Sequence, residues 1–307
     1  MFHAMFCGHR CMSTGGFAGM WQKVADVSGV EVSVYDLCEF GGNLYGCTFP
    51  NGKLLKWNGV NAWVEVAPKL GAEDEIYTLC EFGGNLYGGT SPNGKLYQWN
   101  GVNSWVEVAP KLGAENIVFS LCEFGGNLYG GTSPNGKLYK WNGVNAWVEV
   151  APKLGMESNI ICLCEFGGNL YGGTSPNGKL YQWNGVNAWV EVAPRLGLEV
   201  SINHLCEFGG NLYGGTLPNG KLYRWNGVNA WVEVAGSAGG IFVFCCVFGT
   251  DIYGCSSPDG KLFKWNGVNA WVEVAPQLGT EVICSMCEFG GDLYGCGVLN
   301  GFLYKYV

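Results

Sequence analysis

Residues 79–110 read LCEFGGNLYGGTSPNGKLYQWNGVNSWVEVAP: four short apolar-rich runs, parted by Gly83-Gly84-Asn85, Ser91-Pro92-Asn93-Gly94 and Asn100-Gly101-Val102-Asn103-Ser104. Each break carries turn chemistry. Glycine accepts left-handed backbone without steric cost, proline fixes φ, and Asn-Gly is a strong hairpin signal. The runs are too short for helices and have no helical period. They predict four strands: a (Ile76–Phe82), b (Leu86–Thr90), c (Lys95–Trp99) and d (Trp105–Ala109), the last stopped by Pro110, which cannot donate to a ladder.

The unit recurs. The tyrosine of Leu-Tyr-Gly falls at Tyr45, Tyr87, Tyr129, Tyr171 and Tyr213, a strict spacing of 42, then at Tyr253 after 40 and Tyr294 after 41. A four-stranded repeat of this length is the size of a propeller blade. The sequence ends on a strand c (Gly301 to Val307) with no strand d after it, while Trp21-Gln22-Lys23-Val24-Ala25 near the start matches Trp105–Ala109. One N-terminal strand completing a C-terminal blade closes a ring and removes its seam. The expected fold is an all-β, seven-bladed propeller over residues 21–307, with residues 1–20 a flexible leader.

The bulk properties agree with that and exclude some functions. Of 307 residues, 51 are glycine and 13 tryptophan, 48% are apolar and 14% charged. The formal charge of −8 and the lack of a basic cluster disfavour nucleic acid, which needs a basic surface. No apolar run approaches the ~20 residues of a membrane-spanning helix. Seven of the 15 cysteines (Cys38, Cys80, Cys122, Cys164, Cys206, Cys246 and Cys287) hold one place in the repeat. They read as reduced, buried small hydrophobes, and so favour a cytoplasmic location.

The Gly88-Gly89 pair, the tyrosine before it and the paired Trp99 and Trp105 resemble the kelch-type repeat. Trp-Asn stands where that family usually has Tyr-Asp. The resemblance implies a propeller and a recognition platform.

The repeated tryptophans on strands c and d could stack on sugars, as in propeller lectins, but wedge-shaped blades need large side chains to fill their outer space. The repeated Glu39, Glu81, Glu123, Glu165, Glu207 and Glu288 could ring one channel mouth, though Val247 breaks the set. Catalytic chemistry finds no pattern. The only histidines are His3, His9 and His204, and neither a Ser-His-Asp nor a Cys-His set converges by spacing. His3, Cys7, His9 and Cys11 do not match compact zinc spacing. No enzyme activity, metal or cofactor is expected.

The informative contrast is internal. Most of the unit is copied almost letter for letter, but the six residues before Leu79, Glu73 to Thr78, and their counterparts diverge. The candidate ligand-binding residues are therefore Tyr35, Asp36, Asp74, Tyr77, Thr78, Phe119, Ser120, Asn159, Cys162, Asn203, His204, Phe244 and Ser285. In a propeller they surround one mouth of the central channel. The constant outer tips, such as Asn100-Gly101-Val102-Asn103, speak against drift as the source of this variation. A binding module for a protein or glycan is expected; the alternative is a structural disc that self-associates.

Overall fold

A computed structural model describes residues 19–27, 31–237, 241–279 and 281–307; the side chains of residues 241–244 are outside the described set. The strands form seven antiparallel four-stranded sheets, numbered here as blades one to seven in chain order, each with strands a to d. Blade two is Glu75–Phe82, Asn85–Ser91, Leu96–Trp99 and Trp105–Ala109. Strands a and b run slightly past their expected ends, and strand c starts at Leu96 rather than Lys95, whose amide donates to Thr90 Oγ1 at 3.1 Å. Each strand a lies against the strand a of the next blade, and that of blade seven lies against that of blade one. Strand a is therefore innermost and the ring is closed.

The closing blade is built as the repeated ends imply. Strand Trp21–Ala25 pairs antiparallel with Leu303–Tyr306, placing Trp21 opposite Tyr306. Residues 1–18, with His3, Cys7, His9 and Cys11, lie outside the described residues.

Two packing rules account for the constancy of the unit. Within a blade, the strand d tryptophan reaches under strand c to the first glycine of strand b. A Cβ on Gly130 would sit 3.0 Å from Trp147 Cη2 and 3.4 Å from Val118 Cγ1, so only glycine leaves room for the indole. Between blades, the Phe and Tyr of one unit pack on the strand c tryptophan of the next. Tyr87 and Phe82 meet Trp141 with centroids at 5.2 and 6.2 Å, and Tyr294 meets Trp57 at 4.9 Å across the closure. These tilted and edge contacts are the arrangements aromatic quadrupoles favour. The tryptophans are core, as packing of wedge-shaped blades requires.

The turns are equally determined. Asn100 Oδ1 accepts from the amides of Val102, Asn103 and Ser104 at 2.9, 2.9 and 3.1 Å, so one side chain fixes the whole c–d tip. At the b–c turn the X-Pro bonds of blades one to six are cis, and Gly94 has φ +59°.

Candidate functional site

A cavity of about 510 Å³ occupies one end of the channel, lined at two levels by strand a residues that differ between blades. The upper level is Tyr35, Tyr77, Phe119, Ile161, Asn203 and Cys284; the next is Asp36, Thr78, Ser120, Cys162 and His204. Leu37, Leu79, Leu121 and Leu163 form an apolar floor. Glu39, Glu81, Glu123, Glu165, Glu207 and Glu288, further along strand a, are solvent-exposed.

The upper level carries an aromatic arc over three successive blades. Tyr35 and Tyr77 stack with centroids 5.4 Å apart and planes 21° from parallel, and Phe119 meets Tyr77 edge-on at 4.9 Å. Burial, and then the charge of Glu75, pushes both phenols up to about 12. Ile161 and Asn203 continue the level on the other side, so the cavity is aromatic on one wall and aliphatic to polar on the other.

Asp36 is the carboxylate of this cavity. Its Oδ1 accepts from Leu37 N at 2.9 Å and from Ser285 Oγ at 2.8 Å, and its Oδ2 accepts from Leu79 N at 2.9 Å. It thereby ties blades seven, one and two together. Desolvation raises its pKa above the ordinary carboxylate value; these hydrogen bonds, and then the more distant His204, pull the other way without cancelling the rise.

Most candidate residues converge here: Tyr35, Asp36, Tyr77, Thr78, Phe119, Ser120, Cys162, Asn203 and His204 all line the cavity. Ser285 is 1% exposed and acts behind the wall by holding Asp36. Asp74 is exposed on the d–a connection, its amide donating to Ser91 O at 3.1 Å, and Asn159 starts a strand a opposite Ser175; neither lines the cavity. The side chain of Phe244 is outside the described residues. Cys284 and Val298 join the lining; Val298 stands where blades two, three, four and six have the serine before the cis proline, a substitution visible in the sequence.

The first of the six divergent positions requires a correction. Glu73 is not variable: Glu31, Glu115, Glu157, Glu199 and Glu281 do the same work, all 6% exposed or less. Glu115 accepts from Asn135 Nδ2 at 2.8 Å, Asn135 N at 3.2 Å and Thr132 Oγ1 at 2.9 Å, locking the d–a connection to the b–c turn. The repeat of glutamate with asparagine twenty residues later was the available signal.

The pair His204 and Cys245 was also not foreseen. They come from neighbouring blades, and their Nδ1 and Sγ atoms lie 3.6 Å apart. The ring cysteines Cys38, Cys80, Cys122, Cys164 and Cys287 are half-buried rather than fully buried, each donating to the carbonyl of the following residue at 3.3 Å.

No protein-family model and no curated protein sequence matches the chain. Solved structures do. A catalytically inactive virginiamycin B lyase from Staphylococcus aureus, with quinupristin, superposes with a TM-score of 0.79 at 11% identity, over 94% of this chain and 99% of that one. YCF48 bound to D1 peptide gives 0.72 at 14% identity, over 94% and 96%. The extracellular domain of a hybrid two-component system, BT4673 of B. thetaiotaomicron, gives 0.74 at 12%, over 94% of this chain and 39% of that one. The chain is a seven-bladed β-propeller. At these identities the likeness is one of fold, shared by an enzyme and by a peptide-bound protein.

Proposed function

We propose that this propeller is a non-enzymatic recognition module that holds a segment of a protein ligand in the mouth cavity. The observation that carries this reading is the placement of the asymmetry. A ligand without sevenfold symmetry can be read only by a surface that differs from blade to blade, and nine of the thirteen divergent candidates line one cavity. Its aromatic arc, apolar floor and few convergent polar groups are the usual composition of a binding site. A peptide is favoured over a glycan because the arc is packed face-on and edge-on against itself, leaving an apolar wall rather than an open platform for a sugar ring. The peptide-bound propeller of the same fold, and the kelch-like pattern of the repeat, support such a role.

The test is selection of a random peptide library on the immobilised protein. A consensus should emerge whose affinity falls at least about tenfold on combined Tyr77→Ala and Phe119→Ala substitution, the loss typical of a buried aromatic anchor. It should be unchanged by Glu123→Gln at the opposite end. The absence of a consensus, or equal loss from both variants, refutes the reading.

One observation favours self-association as a second reading. Val60, Val102, Val144, Val186, Val228 and Val268 at the outer tips are 72–74% exposed, and nothing in the monomer explains why that residue is repeated. Sedimentation as a strict monomer at micromolar concentration removes this alternative.

A further inference from the structure

One cluster at the edge of the cavity has no part in that reading. The floor position before the ring cysteine is Leu37, Leu79, Leu121, Leu163, Leu205 and Met286 in six blades, but Cys245 in blade six. The neighbouring blade contributes His204, the one histidine among the described residues, with Nδ1 3.6 Å from Cys245 Sγ. Gly215, paired with His204 across strands a and b, makes room: a Cβ there would meet the sulfur at 3.1 Å. Cys206, two residues along the strand from His204 and so on the same face of it, is the third member, on the strand a that packs against that of Cys245.

We propose that Cys245 is a nucleophilic thiol that reduces hydrogen peroxide, with His204 as its proton partner and Cys206 as the resolving thiol. The neighbouring Cys206 thiol, then His204, draws Cys245 below the usual thiol range against the cost of burial, while the same neighbour pushes Cys206 up. Acidic attacker and protonated partner are the division such a pair needs. Size selects the substrate class. Cys245 is 2% exposed beside the cavity-lining His204, which favours a two-oxygen molecule over a bulky electrophile.

The steps balance. Cys245 passes its proton to His204 as its sulfur attacks one peroxide oxygen; the O–O bond breaks, and the leaving hydroxide takes that proton from His204 and becomes water. The sulfur is now a sulfenic acid, two electrons oxidised. Cys206 sulfur attacks it, the S–O bond breaks, and the departing hydroxide takes the Cys206 proton as a second water. Two thiols and one peroxide yield a disulfide between blades five and six and two waters.

The chain contains its own control. Cys284 and Cys296 in blade seven have sulfurs 3.7 Å apart, but Cys284 faces the carbonyls of Val34 and Tyr35 at 3.0 and 3.4 Å, with no imidazole beside it. The experiment exposes the full-length reduced protein to stoichiometric hydrogen peroxide, quenches with N-ethylmaleimide at intervals and maps tryptic peptides by mass spectrometry. The expected first product joins peptide 196–221 to peptide 225–261, with fragment ions placing the link at Cys245. Cys206→Ser should instead trap a dimedone-reactive sulfenic acid at Cys245. His204→Gln should slow the step roughly tenfold or more, through the lost thiolate fraction, with the thermal midpoint recorded alongside. Bridging of Cys284 to Cys296 before Cys245 reacts, or an unchanged rate in His204→Gln, overturns the proposal. The competition between the two dithiols in the unmodified protein decides the matter even if a variant fails to fold.

Discussion

Replacing Glu115 by alanine tests whether the buried carboxylate, rather than the proline turn alone, fixes the mouth of each blade. The carboxylate is 1% exposed and receives three hydrogen bonds, two from Asn135 and one from Thr132. Hydrogen bonds to a charged group contribute about 1.5–3 kcal/mol each, and deletion strands the donors. Because Asn135 is half-exposed and water can replace part of the loss, we expect about 3–5 kcal/mol. Blade six shows how the chain manages without this residue. It has no acidic residue between Ala235 and Ile241, the turn asparagine is replaced by Asp259, and Ser256 Oγ donates to that carboxylate at 2.6 Å. Asn135→Asp alone should therefore destabilise blade three, by setting a second carboxylate against Glu115. The double variant should recover at least about 2 kcal/mol relative to the sum of the singles, as contacting residues in one network do. Urea denaturation followed by tryptophan fluorescence gives the cycle, and hydrogen exchange localises the loss to residues 112–137. Additive effects would refute the carboxylate-lock account.

Three further outcomes are expected. Gly130→Ala should cost about 1–3 kcal/mol by overpacking, because the Cβ meets the end of the Trp147 indole at 3.0 Å; the urea midpoint reports it. Asp36→Thr, the residue blade two uses at that place, should change the pH dependence of stability. A carboxylate whose folded pKa is raised stabilises the fold below its unfolded value of 3.8 and loses that contribution as pH rises through the folded value; the unmodified protein should therefore gain on the variant as pH falls from neutrality toward 3.8 in paired denaturation curves. Glu75→Gln should lower the ionisation midpoints of Tyr35 and Tyr77 from about 12, since the nearby charge is the second cause of their rise, and the 295 nm absorbance difference between the two proteins isolates these phenols.

The propeller was legible because its signals are local and repeated. Gly-Gly-Asn, Pro-Asn-Gly and Trp-Asn-Gly each determine a turn from within four residues, and seven copies remove the ambiguity a single copy would leave. The level of the cavity was legible too, through the alternation of strand a about Val118 and Leu121. What escaped were relations between units. Glu115 and Asn135 are twenty residues apart, and their partnership shows only in the recurrence of the pair at that spacing and its joint loss in blade six. His204 and Cys245 are 41 apart and meet because blades are neighbours in space, which no motif spacing encodes. One argument for a functional mouth also changes its basis. The outer tips are constant because Asn100 and its equivalents bind three amides each, so their constancy does not measure drift. The case for the mouth rests instead on convergence in one cavity.

That convergence has a structural cause. A ring of equal blades needs the same aromatic contact at every junction, and the chain supplies it with a Phe, a Tyr and a Trp; even the exception, Tyr306 in place of tryptophan in blade seven, keeps a ring there, 6.1 Å from Tyr253. Strand a's upper half is relieved of that duty. Its buried anchor, Ile76 or Val118, is fixed, but the two following residues line the cavity and take no part in the Phe-Tyr-Trp junction. They can differ without opening a junction, and Asp36 goes further by using its divergence to bind blades seven and two at once. A carboxylate held there with a raised pKa is a worse structural choice than the threonine, serine or cysteine that neighbouring blades tolerate. Its retention argues for the cavity rather than the ring.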